Sequence, residues 1–317
     1  MRKVTGPRSN RNKGGFTRRA VGRAFAGLLV AGRARAGAPV RVGSKDDTEG
    51  ALLGNLILFA LRRAGIPVED RLGLGPTRII RTALIEGAID IYPEYTGNSA
   101  FFFNLQTDPV WRDLQAGYER ARSLDLQRNR LVWLPPAPAN NTWAIALRQA
   151  FAAQNGLATM ADFARWVNSG GKLLLAASAE FVESPAALPT FEAVYGFRLT
   201  ASQIISLAGG NTAATLRAAA EGISGVNAAM AYSTDGALAA LNMVILADTK
   251  KAQVVYAPAP VARQAVLDAY PSAANLLAAV FRGLDTVTLQ RLNARIAVDG
   301  EEAGQVARAV LKEKGLA

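Results

Sequence analysis

The stretch DIYPEYTGN, from Asp90 to Asn98, sets two tyrosines either side of a Pro-Glu pair and follows them with a glycine. Aromatic residues make up only 7% of this 317-residue chain, so two of them just after a strand-like AID segment need a chemical reason. A core position there favours Val or Ile. Tyrosine suits something flat-faced or cationic, because its ring face carries partial negative charge. Five further polar turns have the same character: GSKDDTEG (43–50), ANNTW (139–143), ASAEF (177–181), AGGNTA (208–213) and YSTDG (232–236). Helix caps and turns need such residues anyway. Six of them in one chain, two carrying Tyr and one carrying Trp, point to a binding site assembled from loops.

Catalysis fits the same residues poorly. The chain contains no Cys and no His, which removes thiol nucleophiles, disulfides, histidine bases and Cys or His metal sites. Asp90 and Glu94 are four residues apart, but Pro93 prevents their pairing on one helix face. Ser44-Lys45 and Ser178–Glu180 occur without a G-x-S-x-G nucleophile elbow, and there is no P-loop, Rossmann glycine fingerprint or metal-ligand cluster. A binder is therefore favoured over an enzyme, with no cofactor and no metal expected.

Elements that would position these turns are readable from periodicity. PVRVGSK (39–45) reads as a buried strand. DDTEGALLGNLILFALRRAG reads as a helix with Asp46 as N-cap, Glu49 completing a capping box, and an apolar stripe through Leu52, Leu53, Leu56, Ile57, Phe59 and Ala60. A strand and turn over 67–75, a helix opening at Pro76 and the strand AIDIYPEY follow. Strand alternating with helix predicts a parallel sheet with helices on its faces, whose ligand crevice lies beyond the strand C-termini. Similar alternation recurs over 143–238, and the last 45 residues read as mostly helical. PPAPANNTWAIALRQ and YAPAPVARQAV share a Pro-Ala-Pro and an apolar-polar-Arg tail, as two crossings between a pair of lobes would.

The formal charge of +11 suggests nucleic acid until its distribution is examined. Residues 1–36 hold ten basic and no acidic residues. The rest therefore hold 26 basic and 25 acidic, a net charge of +1. So even a balance implies no phosphate-neutralising surface and no nucleic-acid partner. The basic head, with its apolar stretch around Phe25–Ala31 and ARA ending at Ala36, reads as a cleaved export signal. The Arg18-Arg19 pair raises the twin-arginine route beside the general secretory one. No later run of 18 or more apolar residues suggests a membrane span. A soluble, exported protein without a lipid-anchor cysteine is the expectation.

VGSKDDTEGALLGNLI, IDIYPEYTGN, PAPANNTWAIALR, LAASAEF, SLAGGNTAAT and AMAYSTDG, in that order, resemble the osmoprotectant substrate-binding proteins of ABC importers, the glycine betaine/choline/carnitine-binding OpuAC/ProX-like family in its periplasmic variety. The resemblance spans roughly residues 40–315. It implies an α/β, two-lobed periplasmic-binding-protein fold of type II, with two crossover strands as a hinge and the ligand cleft between lobes. Lobe one would comprise 37–144 plus 249–317, and lobe two 145–248. It also implies a monomer that holds a quaternary ammonium in an aromatic cage and passes it to a permease and its ATPase.

Carried over motif by motif, the cage residues are Tyr95, Trp143, Tyr232 and Tyr256, with Lys45, Asn98, Asn141 and Thr234 completing the ligand-binding set. Tyr92 and Glu94 take structural roles, and Gly97 lets the loop turn back so that Tyr95 projects into the cleft. Trp143 stands where relatives carry Tyr, and Asn98 where they carry Thr. Ser184 stands where betaine binders place an arginine for the ligand's carboxylate, which favours choline or another cationic or zwitterionic solute. Two alternatives remain open at this level. An enzyme on a related fold, using carboxylates and Lys45, would show turnover. A ligand sensor would lack a neighbouring permease and ATPase gene pair. Mass spectrometry of the exported protein is expected to show a start at Gly37 or within a few residues of it; an intact basic N-terminus would contradict the signal assignment.

Overall fold

The computed structural model describes residues 38–207 and 212–316. The proposed export signal at 1–36 and the AGGN portion of one polar turn (208–211) lie outside the described residues. Two five-stranded sheets form the frame. The first contains β1 (Val40–Gly43), β2 (Val68–Arg71), β3 (Ile91–Tyr95), β4 (Leu131–Trp133) and β10 (Pro258–Arg263), in the order β2-β1-β3-β10-β4. The second contains β5 (Trp143–Arg148), β6 (Leu175–Ser178), β7 (Ile204–Leu207), β8 (Ala228–Tyr232) and β9 (Met243–Ile245), in the order β7-β6-β8-β5-β9.

Neither sheet is wholly parallel, as strand–helix alternation had suggested. β1 runs parallel to β2 and β3, and β6 runs parallel to β7 and β8, but β10 is antiparallel to β3 and β4, and β5 is antiparallel to β8 and β9. In each lobe the reversed strand is the one that has just crossed from the other lobe. Such a strand enters at the edge where its neighbours end, so it must run against them. The reversal therefore brings the first residue of each incoming strand beside the last residue of a resident one: Pro258 opposite Tyr95, and Trp143 opposite Tyr232.

Each sheet is covered on both faces. On one face of the first, α1 (Thr48–Arg63) buries Leu52, Leu53, Leu56 and Ile57 against the C-terminal helices Ser272–Arg282 and Ala303–Glu313. Each such side chain contributes roughly 1.5–3 kcal/mol by leaving water. On the other face, Ile80 and Leu84 of α2 (Thr77–Ile85) pack with Tyr92, Trp111, Trp133 and Val261. Here Arg81 forms a buried two-point ion pair with Asp125, which also accepts from Trp133 Nε1 at 2.7 Å and Asn129 Nδ2 at 2.8 Å. Asp125 lies on the helix Leu114–Asn129, so the pair locks α2 to its neighbour. None of the described helices is long and apolar enough to cross a membrane.

The N-cap of α1 is Asp47, whose carboxylate accepts from Gly50 N at 2.7 Å; sequence pattern had favoured Asp46 with Glu49 as its capping-box partner. With the cap on Asp47, Glu49 is not its capping-box partner and is buried.

Two crossings, 134–142 and 246–257, join the sheets and bond to each other. Asn141 N donates to Tyr256 O at 2.9 Å, Tyr256 N to Asn140 Oδ1 at 2.8 Å, and Thr142 Oγ1 to Val254 O at 2.8 Å. The first Pro-Ala-Pro (136–138) sits on a crossing as expected; the second (258–260) instead opens β10 within the first sheet. A further contact ties the STDG turn after β8 to the helix Thr286–Ala297. Asn293 Nδ2 donates to Thr234 O at 2.9 Å and Gln290 Nε2 to Ser233 O at 2.7 Å. Gly236 is required there, because a Cβ would lie 2.2 Å from Ala294 N.

Candidate functional site

A cavity of about 980 Å³ opens where the strands of both sheets end. All eight residues singled out from sequence line it: Lys45, Tyr95, Asn98, Asn141, Trp143, Tyr232, Thr234 and Tyr256. Their elements explain why. Lys45 follows β1, Tyr95 ends β3, and Asn98 opens the short helix Asn98–Phe102. Asn141 and Tyr256 ride on the two crossings, while Trp143 and Tyr232 face each other across β5 and β8. The cross-strand register stacks the last pair, with ring centroids 6.5 Å apart and planes 22° apart, and Phe181 meets Trp143 edge-on at 6.3 Å.

Gly97 contributes differently from expectation. Its φ of −62° is ordinary for any residue, so no special turn is involved. A Cβ there would lie 2.8 Å from the Tyr256 ring and 2.7 Å from Val254 Cγ1. Glycine is therefore needed for the close approach that lets Tyr256 pack over the start of the helix.

Polar groups divide into two centres. At the first, buried Glu94 accepts from Lys45 Nζ at 2.9 Å, Tyr92 OH at 2.6 Å, Tyr95 N at 2.8 Å and Asn98 Nδ2 at 2.7 Å. The structural roles of Tyr92 and Glu94 follow from this. The Lys45 charge is matched by Glu94, and its ammonium lies 4.4 Å from the Tyr95 ring centroid, so one tyrosine face already holds a cation. The second centre is Glu49, which accepts from Tyr95 OH at 2.8 Å, Asn141 Nδ2 at 3.1 Å and Asn293 Nδ2 at 2.7 Å. Burial pushes its carboxyl above the ordinary range, while hydrogen bonds from Thr234, Tyr95 and Asn293 oppose that rise. Burial, and then the Glu49 charge, hold the Tyr95 phenol well above its usual value, so it stays a donor.

Electrostatically the cavity leans acidic. Asp46, Asp47, Glu49, Glu180 and Asp235 line it against Lys45, Arg78 and Arg81. Lys45 is paired with Glu94 and Arg81 with Asp125, which leaves exposed Arg78 as the lining guanidinium without an ion pair among the described residues. Ser184 ends the helix Ala179–Glu183 and is not among the lining residues; Glu180, one turn earlier, is. The cleft guanidiniums thus come from α2 of the first sheet and not from position 184. Glu49, Asn293, Asp235 and Arg78 were not singled out from sequence. Glu49 matched a capping pattern, and Asn293 lies 244 positions from the carboxylate it touches.

The sequence model of the OpuAC family, described as the substrate binding domain of ABC-type glycine betaine transport systems, matches residues 38–313. The chain is 54% identical over 281 residues to the glycine betaine-binding protein YehZ of Escherichia coli K12, covering 89% of this chain and 92% of that one. It is 32% identical over 299 residues to a glycine-betaine-binding protein of Pseudomonas aeruginosa, covering 92% and 93%. The solved structure of apo YehZ from Escherichia coli superposes with a TM-score of 0.79, covering 88% of this chain and 100% of that one at 54% identity. The two-lobed architecture is that of type II periplasmic binding proteins.

Asp235 lines the same cavity. Its carboxylate accepts from Tyr232 N at 2.7 Å and Thr212 Oγ1 at 3.1 Å, and burial pushes its pKa up to about 6. A raised carboxyl pKa means that the folded state binds the proton more tightly than the unfolded chain does. Its contribution is therefore present below the unfolded value of 3.8 and lost as pH rises through about 6. Two units correspond to roughly 2–3 kcal/mol. In urea unfolding between pH 4 and 7, wild type should lose stability relative to Asp235→Asn by an amount of that order. Parallel pH profiles would contradict the assignment.

Proposed function

We propose, for a chain that belongs to the family of substrate-binding domains of ABC-type glycine betaine transport systems, that its cleft seats a quaternary-ammonium solute in a cage of Tyr95, Trp143, Tyr232 and Tyr256. As a member of that family it is the substrate-binding component of an ABC transport system and works with a permease and its ATPase. The ligand class draws support from one observation above others: four aromatic residues from both lobes and a crossing line a single cavity whose unpaired charges are mainly carboxylates. A trimethylammonium head donates no hydrogen bond and spreads its charge over methyl groups. Ring faces attract it by about 0.5–2 kcal/mol each without needing a donor or acceptor. Lys45, Asn98, Asn141 and Thr234 complete the polar wall.

Glycine betaine, the ligand named for the two relatives, and choline are the solutes this reading favours. The elements of the first sheet form one lobe and those of the second sheet the other, closing about the two crossings; β5 begins the second lobe at Trp143, two residues before the boundary expected from sequence. The chain binds and releases its ligand unchanged, with no enzymatic step. Residues 1–36 direct export and are removed, leaving a soluble monomer in the periplasm.

Trp143→Leu should weaken binding of a quaternary ammonium by about 1–2 kcal/mol, the worth of a desolvated cation–π contact. Calorimetry with choline and with its neutral carbon isostere, 3,3-dimethylbutanol, provides the check. The isostere should bind poorly to wild type and lose little more in the variant. Equal loss for both compounds, or none for choline, would place Trp143 in lobe packing instead.

A further inference from the structure

Around Glu49 the cleft wall offers hydrogen-bond acceptors without matching donors. The carboxylate is 5% exposed and makes no ion pair among the described residues. Asn141 and Asn293 both spend their amide N–H groups on it, and this leaves Asn141 Oδ1 and Asn293 Oδ1 buried with no partner. The Asn293 amide cannot simply be turned over. Its Nδ2 sits 2.7 Å from Glu49 Oε2 and 2.9 Å from Thr234 O, both of them acceptors, so an oxygen there would face two oxygens. Asn293 is itself 5% exposed, and it lines the cavity together with Glu49 and Asn141. The nearby ammonium of Lys45 is committed to Glu94.

Buried acceptors without partners are costly, and a negative charge beside them raises the cost. A quaternary head supplies the missing positive charge but no N–H. A ligand carboxylate would bring another acceptor and a like charge. A hydroxyl supplies a donor.

We propose that the cleft selects a quaternary ammonium that also carries an O–H or N–H donor, in preference to a zwitterion. That donor is received by Asn141 Oδ1 and Asn293 Oδ1 beside Glu49. Asn293 is then a specificity-determining residue, and Glu49 supplies the charge that disfavours a carboxylate. This inference rests on the quaternary-ammonium reading above, and the test separates the two.

Calorimetry on the mature protein would use four probes sharing one head group: tetramethylammonium, choline, (2-methoxyethyl)trimethylammonium and glycine betaine. The methyl ether keeps the length and charge of choline and lacks its donor. Choline should bind at least tenfold tighter than the ether and tighter than glycine betaine. Glu49→Gln, which preserves shape and removes the charge, should bring choline and glycine betaine closer together by tenfold or more. A ratio of affinities within one variant is not moved by a uniform loss of folded protein, and the comparison of choline with the ether needs only wild type. Equal binding of choline and the ether, or tightest binding of glycine betaine, overturns the inference and leaves the cage standing. Failure of tetramethylammonium and choline alike to bind overturns the cage reading as well.

Discussion

A carboxylate without a cation sits at the centre of this molecule. Glu49 is buried and unpaired among the described residues, a placement that costs several kcal/mol for an isolated ion unless other groups satisfy it. Three segments far apart in sequence do so: the end of β3 through Tyr95, the first crossing through Asn141, and the helix Thr286–Ala297 through Asn293. Asn293 also holds Thr234 O on the opposite lobe, so the group that orients the charge also fixes the two lobes against each other. Charge, ring and hinge are thereby linked. Tyr95 cannot rotate without stripping Glu49 of a donor, and the contact of lobe on lobe at Gly236 cannot open without disturbing Asn293.

The reversed strands give that charge its aromatic surroundings. Because β5 and β10 enter their sheets from the hinge, their first residues stand at the cleft beside the last residues of β8 and β3. Trp143 and Tyr232 thus stack at the cavity wall, and Tyr95 and Tyr256 line the same cavity, Tyr256 packing over Gly97. The Lys45 ammonium, paired with Glu94 at 2.9 Å, lies 4.4 Å from the Tyr95 ring centroid. The two carboxylates consequently differ: Glu94, outside the cavity lining, is satisfied by a resident cation, whereas Glu49 lines the cavity without one among the described residues.

Much of the cavity wall was legible in sequence because polar turns after strands carry short-range signals, and the resemblance to the family then singled out residues within them and on the crossings. Lys45, Tyr95, Asn98, Asn141, Trp143, Tyr232, Thr234 and Tyr256 all belong to such turns or to the crossings, and all reach the cavity. What escaped was set by packing at long range. Strand direction is invisible to periodicity, so the antiparallel β5 and β10 came as a correction. Glu49 fitted a capping box until the cap fell one residue later, on Asp47. Gly97 looked like a turn residue although its backbone is ordinary, since the ring it must accommodate is more than 150 positions away. Asn293 lies in a helix with no local mark of function, and only the fold brings it to the cleft.

In the proposed complex the ligand's cation completes the charge of Glu49. Heteronuclear NMR of the Glu49 carboxyl, titrated with acid in the absence and presence of saturating choline, measures that directly. A bound cation favours the ionised form, so the titration midpoint should move downward on binding. A midpoint that stays where it was in the free protein would show that the ligand's charge does not face Glu49, and the account would fail at its centre.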